Sequence, residues 1–353
     1  MDLIVMTTVT HMMFLQKPRL FYHGSSKRWL ETKKVPKLDL VTFFFYFRNL
    51  QGNTSMNLLI QSFQNVVCIK TIPNMHDFDL IITSDDKLPD FMKVPSNARV
   101  SFGQVAYYPI PWHVGIGYGS GMRFNYLCGG TIIDKRTVIS ARSCFNESLA
   151  DYLTILAGTS FVDSPIAQYP VESVQFYGYL PYRYHSYRDN IIIYKLKYDL
   201  PLNKHMRKIC LPPKDIDMSK VKNCWISGWG EVKHSIMPLP NATNYQPTIL
   251  QWAKVPLWNH EKCQAMHSST SLSPLQLTEK LLCAGSQRTN HENQDYCEGD
   301  QGGSLVCSYD NINDDNLMLV GIITEFVNCG KYLPGLYTNV VPYLDWISSQ
   351  MIQ

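Results

Sequence analysis

The chain has 353 residues, of which 45% are hydrophobic and 17% charged, with a formal net charge of +3. That apolar content supports a packed core and excludes wholesale disorder. So small a charge, with the Lys and Arg residues scattered, leaves no basic stripe for a nucleic-acid partner.

From Met1 to about Arg99 the pattern is irregular, with a basic stretch from Lys27 to Lys37 and an aromatic clump from Phe43 to Phe47. No fold is assigned to residues 1–99, which are read as an N-terminal pro-region or extension. The longest apolar runs there, near Leu40 to Phe47 and Met56 to Ile69, fall short of the roughly 18 apolar residues of a spanning helix, so no transmembrane segment is expected. The first residues include Asp2 and His11 and lack the charged, apolar, small-residue order of a secretion signal. Residues 100–353 form the second expected domain. Short β-type runs separated by turn residues begin after Pro95: Thr131 to Ile133, Thr137 to Ser140, Tyr152 to Ala157 and Asn190 to Leu196. They predict antiparallel barrels or a sandwich. The segment from Pro342 to Ile352 places Tyr343, Trp346 and Ile347 at helical spacing, which predicts a terminal helix docked by one apolar face.

Ten cysteines, with no Cys-x-x-Cys pair among them, point to disulfides and an extracellular setting, with neither a metal nor a cofactor expected. Sequons at Asn53, Asn146 and Asn241 are compatible with secretion and glycosylation.

Three separated segments share a resemblance. They are Cys128-Gly129-Gly130 with Val138 to Ala141 and Cys144; Asn190 to Leu196; and Cys297-Glu298-Gly299-Asp300-Gln301-Gly302-Gly303-Ser304. In this order, and supported by Ser227 to Gly230, Ile209 to Pro212, Leu282 to Gly285 and Pro334 to Thr338, they resemble the trypsin and chymotrypsin family of serine proteases. The resemblance covers about Val100 to the C-terminus. It implies an all-β fold of two packed six-stranded antiparallel β-barrels, with the site between them and a C-terminal helix. It also implies disulfides joining Cys128 to Cys144, Cys224 to Cys307, Cys263 to Cys283 and Cys297 to Cys329, with Cys68 and Cys210 left as a fifth pair.

In that family a serine oxygen attacks the scissile carbonyl, a histidine takes its proton and a buried aspartate orients the imidazole. The matching positions here hold Gln301, Ser143 and Asn190. An amide is not a nucleophile, and neither amide nor hydroxyl accepts a proton near neutral pH, so the resemblance implies a serine protease homologue without peptidase chemistry. Ser304 and His185 are poorly placed to substitute, and Asp189 reads as a solvated loop carboxylate. The alternative is a residual hydrolase that uses displaced groups. Gly299 matches the glycine whose amide helps to hold the tetrahedral oxygen. Asp295 matches the pocket-floor carboxylate that prefers Lys and Arg, but the role expected for it is an internal hydrogen bond to Tyr296 or a water. Thr324, Glu325 and Phe326 replace the pocket wall, with the Phe326 ring expected across the entrance. Arg99 and Val100 match the activation junction, and Asp300 the carboxylate that receives the freed ammonium. The expected activity is protein binding, with proteases, protease inhibitors or receptors as partners. The polar insertions Pro238 to Pro247 and Tyr309 to Asn316 are the candidate binding face, and ordinary surface loops are the alternative reading of both.

Overall fold

The computed structural model describes residues 104–120, 123–164, 167–178, 189–231, 246–268, 277–285, 295–309, 317–324 and 333–351. Residues 1–99 and most of the two polar insertions lie outside them.

Six strands make the first half: β2 (His113–Tyr118), β3 (Asn125–Asp134), β4 (Thr137–Ser140), β5 (Leu153–Ala157), β6 (Gln168–Phe176) and β7 (Ile192–Leu196). They pair antiparallel in the order β2-β3-β4-β7-β6-β5 and close into a barrel. The β-branched runs explain the strands: Val138, Ile139, Ile192 and Ile193 are fully buried, and branched side chains pack well on a pleated surface. Closure also removes the unpaired edges that would otherwise recruit another chain.

The second half was expected to be another six-stranded barrel. Instead β8 (Val221–Gly228), β9 (Gln251–Val255), β10 (Leu281–Ala284), β11 (Ser304–Tyr309), β12 (Leu317–Ile323) and β13 (Gly335–Asn339) join with β1 (Gln104–Val105) in a curled seven-stranded sheet. Its order is β1-β9-β8-β11-β12-β13-β10, so it forms a half-barrel. The seventh strand arises because the entering chain pairs Gln104 with Trp252 and Val105 with Gln251 before it crosses to the first barrel.

The halves share one core. Trp225, Trp229 and Leu319 from the second half cluster with Ile116, Ile132 and Ile155 from the first. The fully buried Trp229 ring lies 5.0 Å from His113 and 5.8 Å from Tyr126. Burial drives the His113 pKa down to about 3, so its imidazole is neutral, with Nδ1 3.0 Å from Ser227 Oγ.

Two α-helices lie among the described residues. α1 (His260–Ser268) starts at Asn259, whose Oδ1 accepts from the Glu261 N–H at 2.9 Å, as an N-cap does. α2 (Leu344–Met351) docks as its apolar spacing predicts, with Tyr343 and Ile347 buried and Trp346 packed against the core. Lys195 of β7 donates to the Gln350 carbonyl and places a cation at the negative end of this helix. Disulfides join Cys128 to Cys144, Cys224 to Cys307 and Cys263 to Cys283. Cys224 and Cys307 are register partners on β8 and β11, with Cα atoms 4.0 Å apart. Cys297 is also disulfide-bonded, whereas Cys329 and Cys68 lie outside the described residues. No helix among the described residues is long and apolar enough to cross a membrane.

Candidate functional site

On the first barrel's side the site is built from the ends of β4 and β7. A 3-10 turn, Arg142–Cys144, follows β4 and is clamped by the Cys128–Cys144 disulfide. Ser143 sits in this turn, and its backbone N–H donates to Asn190 Oδ1 at 2.9 Å. In return Asn190 Nδ2 donates to Ser143 Oγ at 3.3 Å. Asn190 is 1% exposed, and its carbonyl accepts from Thr338 Oγ1 of β13 at 3.1 Å, which ties the first half to the second. The pair is closed on itself: an amide and a hydroxyl, each engaged by the other, with no group that takes a proton near pH 7.

On the opposite side the loop that precedes β11 carries Gly299, Asp300 and Gln301. The Gln301 carbonyl accepts from the Gly129 N–H of β3 at 2.8 Å and lies 3.5 Å from Cys144 Sγ, which brings this loop beside Ser143. The Gln301 side chain turns back on its own loop, and its Oε1 accepts from the Gly299 N–H at 2.8 Å. Gly299 has φ +92°, a conformation that glycine adopts at little cost. Its carbonyl accepts from Tyr126 Oη at 2.7 Å, so both polar groups of this residue are held from within the protein.

Asp300 points inward. Its two carboxylate oxygens accept from the Gly230 and Cys297 N–H groups, each at 2.8 Å. A Cβ at Gly228 or Gly230 would collide with this carboxyl, so the enclosure depends on both glycines. Burial pushes the Asp300 pKa up to about 6 against the opposing effect of the two backbone donors. Arg99 and Val100 lie outside the described residues.

Asp295 is sealed. It is 5% exposed and accepts from the Tyr296 N–H at 2.9 Å. A Cβ at Gly285 would lie 2.9 Å from one of its oxygens and a Cβ at Gly335 2.7 Å from the other. Burial holds its carboxyl well above the usual carboxylate range. The Tyr296 ring is buried against Gly335 and meets Tyr337 edge-on at 5.3 Å. Its hydroxyl both donates to the Leu336 carbonyl and accepts from the Leu336 N–H at 3.0 Å. Thr324 is fully buried and also donates to the Leu336 carbonyl, at 2.8 Å. Glu325 and Phe326 lie outside the described residues, so the ring seen packing in this region is that of Tyr296.

Asp189 is not the solvated carboxylate that the sequence suggested. Lys280 Nζ lies 2.6 Å from its Oδ1, and Tyr343 Oη donates to the same oxygen at 2.9 Å. Lys280 in turn sits over the Tyr177 and Tyr343 rings at 5.6 and 5.5 Å. Asp189 is thereby committed to a clamp between the halves. Ser304 is buried at the start of β11, and His185 lies outside the described residues. Cys263, His267 and Cys283 come close enough to resemble a metal-ligand cluster. The two cysteines are bonded to each other, however, so neither offers a thiolate.

Residues 100–347 match the sequence profile of the family described as Trypsin. The chain belongs to the trypsin family. Among curated relatives, human tissue-type plasminogen activator is 32% identical over 241 residues, covering 64% of this chain and 39% of that protein. Bovine coagulation factor XI is 30% identical over 244 residues, covering 67% of this chain and 35% of that protein. The chain thus spans well under half the length of these trypsin-family relatives. Its fold is similar to the solved structure of neuropsin, a serine protease expressed in the limbic system of mouse brain. That match has a TM-score of 0.56 at 24% identity and covers 70% of this chain and 98% of the other.

Proposed function

We propose that this trypsin-family chain is a secreted protein without peptidase chemistry that acts by binding other proteins: protease inhibitors, active proteases or receptors. The carrying observation is the Gln301 side chain, which stands at the nucleophile position and places its amide oxygen on the Gly299 N–H at 2.8 Å. In a working site that donor holds the charge that develops on the substrate oxygen. Here it holds the protein's own carboxamide. The Ser143 and Asn190 pair supports the same reading, because neither group serves as a general base. In serine proteases loss of the nucleophile or the base alone lowers turnover on the order of a million-fold. Tyr296, buried beside Asp295, argues against a substrate-like side chain entering this pocket, so the reading places the partner on the outer surface. The disulfides fit an extracellular setting. Cleavage after Arg99 belongs to the same proposal, with Asp300 as the enclosed carboxylate that receives the Val100 ammonium.

The test treats the secreted chain with a broad fluorophosphonate probe and with small peptide substrates, before and after limited trypsin cleavage at Arg99. The expected result is no labelling and no turnover in either form. Covalent labelling of any residue, or turnover that survives repurification, would establish a displaced nucleophile and defeat the reading.

A further inference from the structure

We propose that Asn146, three residues after Ser143 on the segment that leaves the candidate site, carries an N-linked glycan. The sequon Asn146-Glu147-Ser148 has no proline in its middle position, and all three residues are exposed. It begins two residues after Cys144, whose disulfide to Cys128 fixes the turn that carries Ser143. The intervening Phe145 packs edge-on against Phe176 at 5.1 Å, so the acceptor stands on an anchored segment. Asn146 Oδ1 accepts from the Ser148 N–H at 3.0 Å and from Ser148 Oγ at 2.7 Å. The carboxamide is therefore held by its oxygen, and Nδ2, the atom that takes the sugar, makes no hydrogen bond among the described residues. Asn53 and Asn241 lie outside the described residues and share none of this argument.

The co-reactant is an oligosaccharide linked to a lipid through a diphosphate. A bond forms between Asn146 Nδ2 and the sugar's C1, the bond from C1 to the diphosphate oxygen breaks, the lipid diphosphate leaves, and Nδ2 gives up one proton. No oxidant or reductant is needed. The consequence is steric: a hydrated oligosaccharide rooted three residues from Ser143 occupies the exposed surface around this segment and directs a partner protein elsewhere. This inference rests on the proposed export.

The full chain, given a cleavable secretion signal, is expressed in glycosylating eukaryotic cells. Its peptides are mapped after release of N-glycans by the amidase in heavy-oxygen water. The peptide containing Asn146 is expected to appear as heavy-oxygen Asp. The mobility shift assigned to that site should vanish in Asn146→Gln and in Ser148→Ala and persist in Ser148→Thr. An unlabelled Asn146 peptide, in the secreted fraction or in the fraction retained in the secretory compartments, overturns the proposal, and because the parent chain is mapped directly, misfolding of a variant does not affect the answer. Failure of the chain without the added signal to leave the cell counts against export alone.

Discussion

On the proposed function, the two sides of the candidate site differ from a working protease in different ways. On the first barrel's side the departure is chemical: Asn190 Oδ1 still receives the Ser143 N–H at 2.9 Å inside a disulfide-clamped turn, and what is missing is a group that takes protons. On the second half's side, where Gln301 stands at the nucleophile position, it is also spatial. The Tyr296 ring is packed beside Asp295, and the Gln301 carboxamide lies on the Gly299 N–H. A side that differs only in chemistry keeps its scaffold whatever polar group it carries. A ring packed as Tyr296 is forms part of the core, and its removal costs stability. Substitutions on the second side should therefore be felt in folding as well as in binding.

The largest expected effect is at Tyr296. Tyr296→Ala removes a ring that is 2% exposed and strands the Leu336 N–H and carbonyl that its hydroxyl serves. Truncating a buried aromatic residue costs about 3–5 kcal/mol, so the denaturant midpoint should fall accordingly. An unchanged midpoint would mean that the ring does not pack as described. Next is the pH dependence set by Asp300. Its carboxyl is raised from 3.8 to about 6, so the folded state holds this proton more tightly than the unfolded state does. The associated stability is fully present below about pH 4 and is lost as pH rises through about 6, a swing of up to about 3 kcal/mol. Asp295, also raised by burial, acts in the same direction. Denaturation measured from pH 4 to 7 should show this decline against the background of other groups, and Asp300→Asn should flatten it. A profile unaltered by Asp300→Asn would exclude this carboxyl as the source.

Much of this arrangement was legible because it is local. The branched runs of β4 and β7 and the terminal stripe of Tyr343, Trp346 and Ile347 follow from the side-chain periodicity of strands and helices. β1 escaped notice because two residues carry no pattern, and its pairing with β9 spans most of the domain. α1 buries only Cys263 and His267, so it offers no apolar stripe, although Asn259 ahead of it was a usable cap signal. Asp189 reads as a solvated carboxylate for a related reason: its partners Lys280 and Tyr343 lie 91 and 154 residues away, and no local pattern announces such a pairing. From the sequence Tyr296 reads as a hydrogen-bonding neighbour of Asp295. Its amide makes that bond, while its ring and hydroxyl pack onto β13. By contrast the Gln301 contact was within reach of sequence reasoning, since the side-chain amide needs to reach back only two residues.

That contact gives the smallest and sharpest effect. Gln301→Ala removes one hydrogen bond on a partly buried loop, and a bond of this kind contributes about 0.5–1.5 kcal/mol. Global stability should therefore change little. The Gly299 amide should respond more strongly, because Gln301 Oε1 is its acceptor, while the Gly299 carbonyl remains tied to Tyr126 and the Asp300 carboxylate remains tied to Gly230 and Cys297. Hydrogen exchange at Gly299 should accelerate by about tenfold, the factor that corresponds to about 1.4 kcal/mol, while exchange at Gly230 and Cys297 stays at its parent rate. Acceleration across all three amides would mean that Gln301 holds the whole loop, so that the second side of the cleft is a single cooperative plug. An unchanged Gly299 rate would mean that Gln301 does not occupy this donor, and the proposed function would then rest on the side-chain chemistry of Gln301, Ser143 and Asn190.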